Sequence, residues 1–186
     1  YIFSVYSISK ICQKFNFELI DCCHQKTHGG SMRYVVARMG ERKKQHNVDI
    51  YIKKEIKKKY HQKEGVKKFK NKIEKSKKRI LKEIKSIRNK GERLYGYAAT
   101  SKSTTILNYF RLNSNYIDGI FDSTPEKIGK FSPGSHIPII DVKNIKNFKM
   151  KYLYLFAWNH SAEIIKKEKK FVKNGGKFIC HVDFKS

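Results

Sequence analysis

The chain has 186 residues, with 42 lysines and arginines against 16 acids, giving a formal net charge of +26. That length holds one large domain or two small ones. No run approaches the roughly 18 apolar residues of a membrane span, and the opening "YIFSVYSISK" is too short and polar for a signal peptide. The first residue is Tyr1 rather than Met, as in a fragment or a processed product. Cys12, Cys22, Cys23 and Cys180 show neither CxxC spacing nor the density of a disulfide framework. They read as reduced thiols of a cytoplasmic protein, with no metal site. The charge points first to nucleic acid. Yet Lys far outnumbers Arg and is spread over most of the chain, as in proteins from AT-rich genomes. Dedicated nucleic-acid readers lean on Arg, whose planar fork matches phosphates and base edges. Nucleic acid is therefore the disfavoured partner.

In chain order, "SISKICQKF" predicts a helix with Ser7 as N-cap and Ile8, Ile11, Cys12 and Phe15 on one face. "FELIDCC" and "MRYVVAR" predict two strands, which place Cys22 and Cys23 on opposite sides. They are joined by "HQKTHGGS", where Gly29 and Gly30 allow turns closed to other residues. Residues 50–90 predict Lys-laden helix. Ile52, Ile56 and Tyr60 form one stripe, Val66, Phe69, Ile73, Ile80, Ile84 and Ile87 a second, and Gly65 separates them. From Gly91 the pattern alternates. "RLYGYAA" reads as a strand, "TTILNYFRL" a helix, "YIDGIFD" and "IPIID" strands, "KYLYLFAW" a strong strand, "SAEIIKKEKKFVKNGG" a helix and "KFICHV" a last strand. Such alternation predicts an α/β fold, a Rossmann-like domain with a mostly parallel sheet.

In that fold "GYAATSKSTTILNYF", Gly96 to Phe110, crosses from the carboxyl end of the first strand into a helix. Ligands of open α/β sheets bind at this edge, and a helix N-terminus suits a phosphate. Ser101, Ser103 or Thr104 can cap the helix or donate to an anion, and Lys102 adds a full charge. The spacing is not GxGxxG, so an ordinary capped turn remains the equal alternative. Trp158 and Asn159 follow a strong strand at the same edge, with Trp158 either stacking on a ligand or filling the core. Tyr97 faces core or cleft. His136 reads as a loop histidine. Asp122 closes the second strand where a ribose-binding acid often sits, but without the dinucleotide glycines it predicts no nicotinamide cofactor.

Several stretches together resemble the sugar C-methyltransferases. "GYAATSKSTTILNYF" resembles the Gly-Ala-Pro-Ala-Lys-Gly turn that opens that family's C-terminal domain. "DSTPEKIGKFSPGSHIPII", Asp122 to Ile140, resembles its next block. "LFAWNHSAEII", Leu155 to Ile165, resembles its Pro-Trp-Asn loop and following helix, and "GGKFI" its final strand. "THGGSMRYVVAR" resembles the His-Gly-Gly-Ser-Leu-Arg strand that closes its methyltransferase domain, and "YIFSVYSISKI" the segment after that domain's Glu-His base. The chain departs from the pattern in carrying Ala98 and Ser103 where the family has glycines.

The resemblance implies S-adenosylmethionine-dependent enzymes acting on nucleotide-linked keto-sugars, by proton abstraction beside a ketone and attack of the enolate carbon on the methyl sulfonium. It implies residues 1–47 as the tail of a methyltransferase domain, 48–90 as connecting helices and 91–186 as the Rossmann-like C-terminal domain. The base would lie before Tyr1, the S-adenosylmethionine site outside this chain and a zinc site in a missing N-terminal module. No catalytic or metal-binding residue is assigned here, and the chain alone is expected to be inactive. The substrate-binding residues are then His28, Gly29, Gly30, Arg33, Tyr97, Ser101, Lys102, Trp158 and Asn159. The alternative is a basic nucleic-acid-binding or partner-docking α/β protein without catalysis.

Overall fold

Five strands share one direction after Gly91. They are β3 (Leu94–Tyr97), β4 (Ile120–Asp122), β5 (Ile139–Asp141), β6 (Tyr152–Leu155) and β7 (Lys177–Ile179). In this computed structural model, which describes residues 3–183, their order across the sheet is β5-β4-β3-β6-β7, and every pair is parallel. Each crossover returns the chain to the same end of the sheet, and the order reverses between β3 and β6. That is a Rossmann-like half with its switch point at β3/β6.

Leu94–Tyr97 are buried throughout, as a parallel strand covered on both faces requires. Alternation divides them. Leu94, Ile120, Tyr154, Phe156 and Ile179 pack with Ile80, Ile84 and Ile87 and with Leu107 and Phe110 of α4 (Ser101–Phe110). Tyr95, Tyr97, Phe121, Leu153 and Leu155 pack on the opposite face with Ile164 and Phe171, which belong to α5 (Ser161–Lys167) and α6 (Lys169–Lys173). Gly96 lies between, where a Cβ would stand 2.6 Å from Phe156 Cε2 and 3.1 Å from Ile120 Cγ1. β3 is thus glycine at this point because the ring of its neighbour fills the space.

The chain forms two compact units, 1–73 and 74–186. The first holds α1 (Val5–Lys14), the antiparallel pair β1 (Phe17–Gln25) and β2 (Ser31–Arg38), and α2 (His46–Lys57). Its core is Val5, Cys12, Leu19, Cys22 and Val48. The N-cap of α1 is Ser4, not Ser7. Ser4 Oγ accepts from the Ser7 N–H at 3.1 Å while Ser7 Oγ accepts from the Ser4 N–H at 2.8 Å, which makes Ser7 the third residue of a capping box. The helix therefore starts a turn earlier and its buried face shifts to Val5 and Cys12, leaving Ile11 and Phe15 exposed. The N–H groups of Val5 and Tyr6 donate to the two oxygens of Glu55, at 3.0 and 2.8 Å. A carboxylate at this end satisfies orphan donors and complements the helix dipole.

The break between α2 and α3 (Lys63–Asn89) falls at 58–62, with Lys59 at φ 58°. Gly65 does not separate the helices. It sits in the first turn of α3, where a Cβ would collide with the Lys59 carbonyl. The expected single stripe of α3 is buried only in part. Ile80, Ile84 and Ile87 are buried because sheet strands lie beneath them, whereas Val66 and Phe69 are exposed. The expected helix over 161–176 is two short ones, parted at Glu168, whose Oε1 accepts the Tyr97 hydroxyl at 2.7 Å. At the other end of β3, Asp118 accepts from the Leu94 N–H at 3.1 Å and pairs with Arg88 at 2.7 Å. Among the described residues no helix is long and apolar enough to cross a membrane.

Two measurements probe this packing. Gly96→Ala should cost roughly 1–3 kcal/mol through overpacking against Phe156, read as a lowered midpoint of denaturant unfolding. His181 stacks on Tyr154, 3.2 Å from its hydroxyl, and burial, with the nearby Arg79 guanidinium adding to it, pushes its pKa from 6.5 down to about 4. Between those values the unfolded chain binds the proton and the folded chain does not, so stability falls as pH drops from 6.5 toward 4. Unfolding midpoints measured at pH 7 and pH 5 should differ less in His181→Gln than in the parent.

Candidate functional site

β3 leaves the sheet through Ala98, whose φ of 72° lies in the left-handed region that favours glycine. The turn is held at every step. Ala98 N–H donates to Phe121 O at 2.7 Å, and Thr100 N–H donates back to Ala98 O at 3.0 Å. Ala99 N–H donates to Asp122 Oδ2 at 2.7 Å, and Lys127 Nζ donates to Ala99 O at 2.9 Å. Helix α4 is then capped by Thr100, in extended backbone, whose side chain accepts the Ser103 N–H at 3.2 Å. None of Ser101, Ser103 and Thr104 is the cap. A cap needs non-helical backbone, and after a left-handed Ala98 the chain offers it at Thr100. Ser103 is buried, and its hydroxyl donates to Thr100 O at 2.6 Å. Among the described residues, the N–H groups of Ser101 and Lys102 donate to no acceptor, so the first turn of α4 presents two donors beside the sheet edge.

Lys102 points across the switch point. Its Nζ donates to Asn159 Oδ1 at 2.9 Å and lies 5.8 Å from the centroid of the Trp158 ring. Both residues belong to a 3₁₀ turn, Trp158–His160, that follows β6. Trp158 is half-buried and outside both core clusters, because β6 ends at Leu155 and the tryptophan lies beyond its packed interior. Among the described residues no carboxylate lies within 4.0 Å of the Lys102 ammonium, which is held by a neutral amide and an aromatic face.

Lys127 differs. Its ammonium stands 3.6 Å from Asp122 Oδ2 and is already bonded to Ala99 O. Asp122 is buried, which would raise its pKa, but hydrogen bonds from Thr124 and Ala99 and the Lys127 charge outweigh burial and leave it below the usual value. Its Oδ1 takes the Thr124 N–H at 2.8 Å. Both oxygens thus accept a backbone N–H, and little of the carboxylate is left exposed.

The other residues singled out from the sequence are placed as follows. Tyr97 is core, packed edge-on to Phe178, with its pKa raised by burial and by the bond to Glu168. Ser101 is exposed at the first position of α4. His136 is exposed at φ 52° in the loop before β5. In the first unit, His28, Gly29 and Gly30 occupy the hairpin tip, with φ of 55°, 85° and 126°. All three are exposed, as is Arg33, opposite Cys23 on β2. The second unit thus brings together Ser101, Lys102, Trp158 and Asn159. Sequence reasoning passed over the clamp of Asp122 and Lys127 on the turn. Its signal was the "DSTPEK" run, in which an Asp two residues before Thr-Pro forms an Asx-turn.

Among the described residues no group of three His, Cys, Asp or Glu side chains assembles to hold a metal. Ala98→Gly, which removes the steric cost of the left-handed backbone, should stabilise the chain by roughly 0.5–1 kcal/mol, measured by denaturant unfolding.

Residues 26–183 match a family model described as the C-methyltransferase C-terminal domain. The chain is also 28% identical, over 189 aligned residues, to a curated relative named C-methyltransferase NovU, from Streptomyces niveus. The match covers 97% of this chain and 44% of the relative, so the chain spans less than half of that protein's length.

Proposed function

Because this chain belongs to the C-methyltransferase C-terminal domain family, we propose that it is the substrate-binding part of a longer S-adenosylmethionine-dependent C-methyltransferase that acts on a nucleotide-linked keto-sugar. The observation that carries the substrate reading is Lys102. A diphosphate needs donors and positive charge in one place. Among the described residues, the β3–α4 turn offers two unbonded N–H groups at a helix N-terminus, and beside them an ammonium with no carboxylate partner. Asn159 holds that ammonium over the carboxyl edge of the sheet, and the half-buried Trp158 supplies a flat face for a base or a sugar.

The methyl donor is assigned to the part of the longer protein beyond this chain. A zinc module would likewise lie in the rest of the protein. His28, Gly29, Gly30 and Arg33 are proposed as a second set of substrate contacts, carried by the 1–47 segment as the tail of a methyltransferase domain. Residues 91–186 are then the nucleotide-binding domain, and 48–90 the connection. A cytoplasmic location suits the four free thiols, of which Cys12, Cys22 and Cys180 are buried with raised pKa values and so are poorly reactive.

Losing one charge-assisted phosphate contact costs about 1.5–3 kcal/mol. Lys102→Ala in the full-length enzyme should therefore raise the KM for the nucleotide-sugar about tenfold or more, with S-adenosylmethionine affinity unchanged. Steady-state kinetics with both substrates varied checks this. Wild-type substrate kinetics in the variant would end the proposal.

A further inference from the structure

We infer that Asp122 and Lys127 are positioning residues, a neutral ion-paired clamp that fixes the β3–α4 turn so that Lys102 and the first N–H groups of α4 face the sheet edge. The inference rests on the reading of that edge as an anion site. Both polar backbone atoms of one residue, Ala99, are tied to the same side-chain pair. Its N–H goes to Asp122 at 2.7 Å and its carbonyl to Lys127 at 2.9 Å. The residue before it is held at φ 72°, a conformation that costs an alanine energy and persists only where its surroundings over-determine it. The clamp is the surrounding that does so, together with the Ala98 N–H bond to Phe121 O.

The charges matter as much as the geometry. Asp122 and Lys127 lie 3.6 Å apart and carry opposite charge, so the clamp adds no net charge to the edge. The carboxylate is buried beneath the turn, and each of its oxygens accepts a backbone N–H. Burial under the turn keeps Asp122 away from a ribose, so it acts through Lys102. This separates it from the acid that closes the second strand in a dinucleotide-binding domain, which touches the ribose directly.

The test uses the full-length protein with two variants, Asp122→Asn and Lys127→Met, the second keeping the apolar stem and leaving the carboxylate in place should the first fail to fold. Amide hydrogen exchange, which needs no ligand, should speed up about tenfold or more at Ala99 and Ser103 in either variant. Binding of uridine diphosphate and of its 2′-deoxy form, followed by calorimetry, should weaken about three- to tenfold and by the same factor for both. Combined with Lys102→Ala, neither variant should weaken binding further than Lys102→Ala alone, since coupled residues are non-additive. Unchanged exchange across the turn overturns the clamp. So does a loss that multiplies with that of Lys102→Ala, or one confined to the ribose form. If Lys102→Ala alone binds like the parent, the anion reading falls, and the exchange result still decides whether the clamp exists.

Discussion

At the end of β3 the backbone has to leave a sheet that is covered on both faces and begin a helix within four residues. It does so through one left-handed residue, Ala98, and almost everything at the carboxyl edge depends on that reversal being held. The bond from Ala98 to Phe121 fixes the exit to the neighbouring strand. The extended Thr100 then caps α4 and aims its first turn outward. If β3 ran one residue further, Lys102 would turn about 100° around the helix axis and lose Asn159.

Strand order does the rest. Because the sheet reverses direction of growth between β3 and β6, the chain segments leaving those two neighbouring strands diverge to opposite faces, and a crevice opens between them. Lys102 departs from one strand and Trp158 and Asn159 from the other, so residues 57 positions apart meet at 2.9 Å. Close approach inside the sheet is what keeps the strands in this register. Gly96 gives the Phe156 ring its place, and the aromatic layer of Tyr95, Phe121 and Phe148 fills the opposite face.

Much of this was legible before the structure. The seven strands of the described residues announce themselves as short apolar runs bounded by turn residues, and the alternation of strands with helices after Gly91 dictates a parallel sheet. The position of Lys102 at the strand–helix junction follows from the same grammar. What was not legible depends on partners distant in sequence. The start of α1 hinged on Ser4 and on Glu55, some fifty residues away, and no local pattern reveals that acid. The buried length of the α3 stripe depended on where the sheet lies beneath it, so periodicity alone promised too much. The break at Glu168 has no proline or glycine to mark it. Tyr97 could be read as core or cleft because alternation gives a side, while the hydroxyl's partner lies 71 positions downstream. The single bond from Lys102 to Asn159 likewise required the strand order, which no motif carries.

The division of labour between the two signs of charge has a consequence for how this chain can change. Acids number 16 against 42 bases. Glu55 caps α1, Asp118 anchors the start of β3, Asp122 holds the turn, and Glu168 receives the Tyr97 hydroxyl. The lysines mostly decorate exposed surface. Genomic drift toward lysine codons can therefore raise the charge by exchanging one exposed polar side chain for another, leaving the architecture intact. Drift that converts one of these few carboxylates takes the acceptor from a backbone N–H or, at Glu168, from the Tyr97 hydroxyl. The fold's tolerance to substitution is expected to be lopsided, permissive toward gain of base and strict toward loss of these acids. Most of the +26 thus sits on side chains the architecture does not lean on, while these four acids each hold a specific donor.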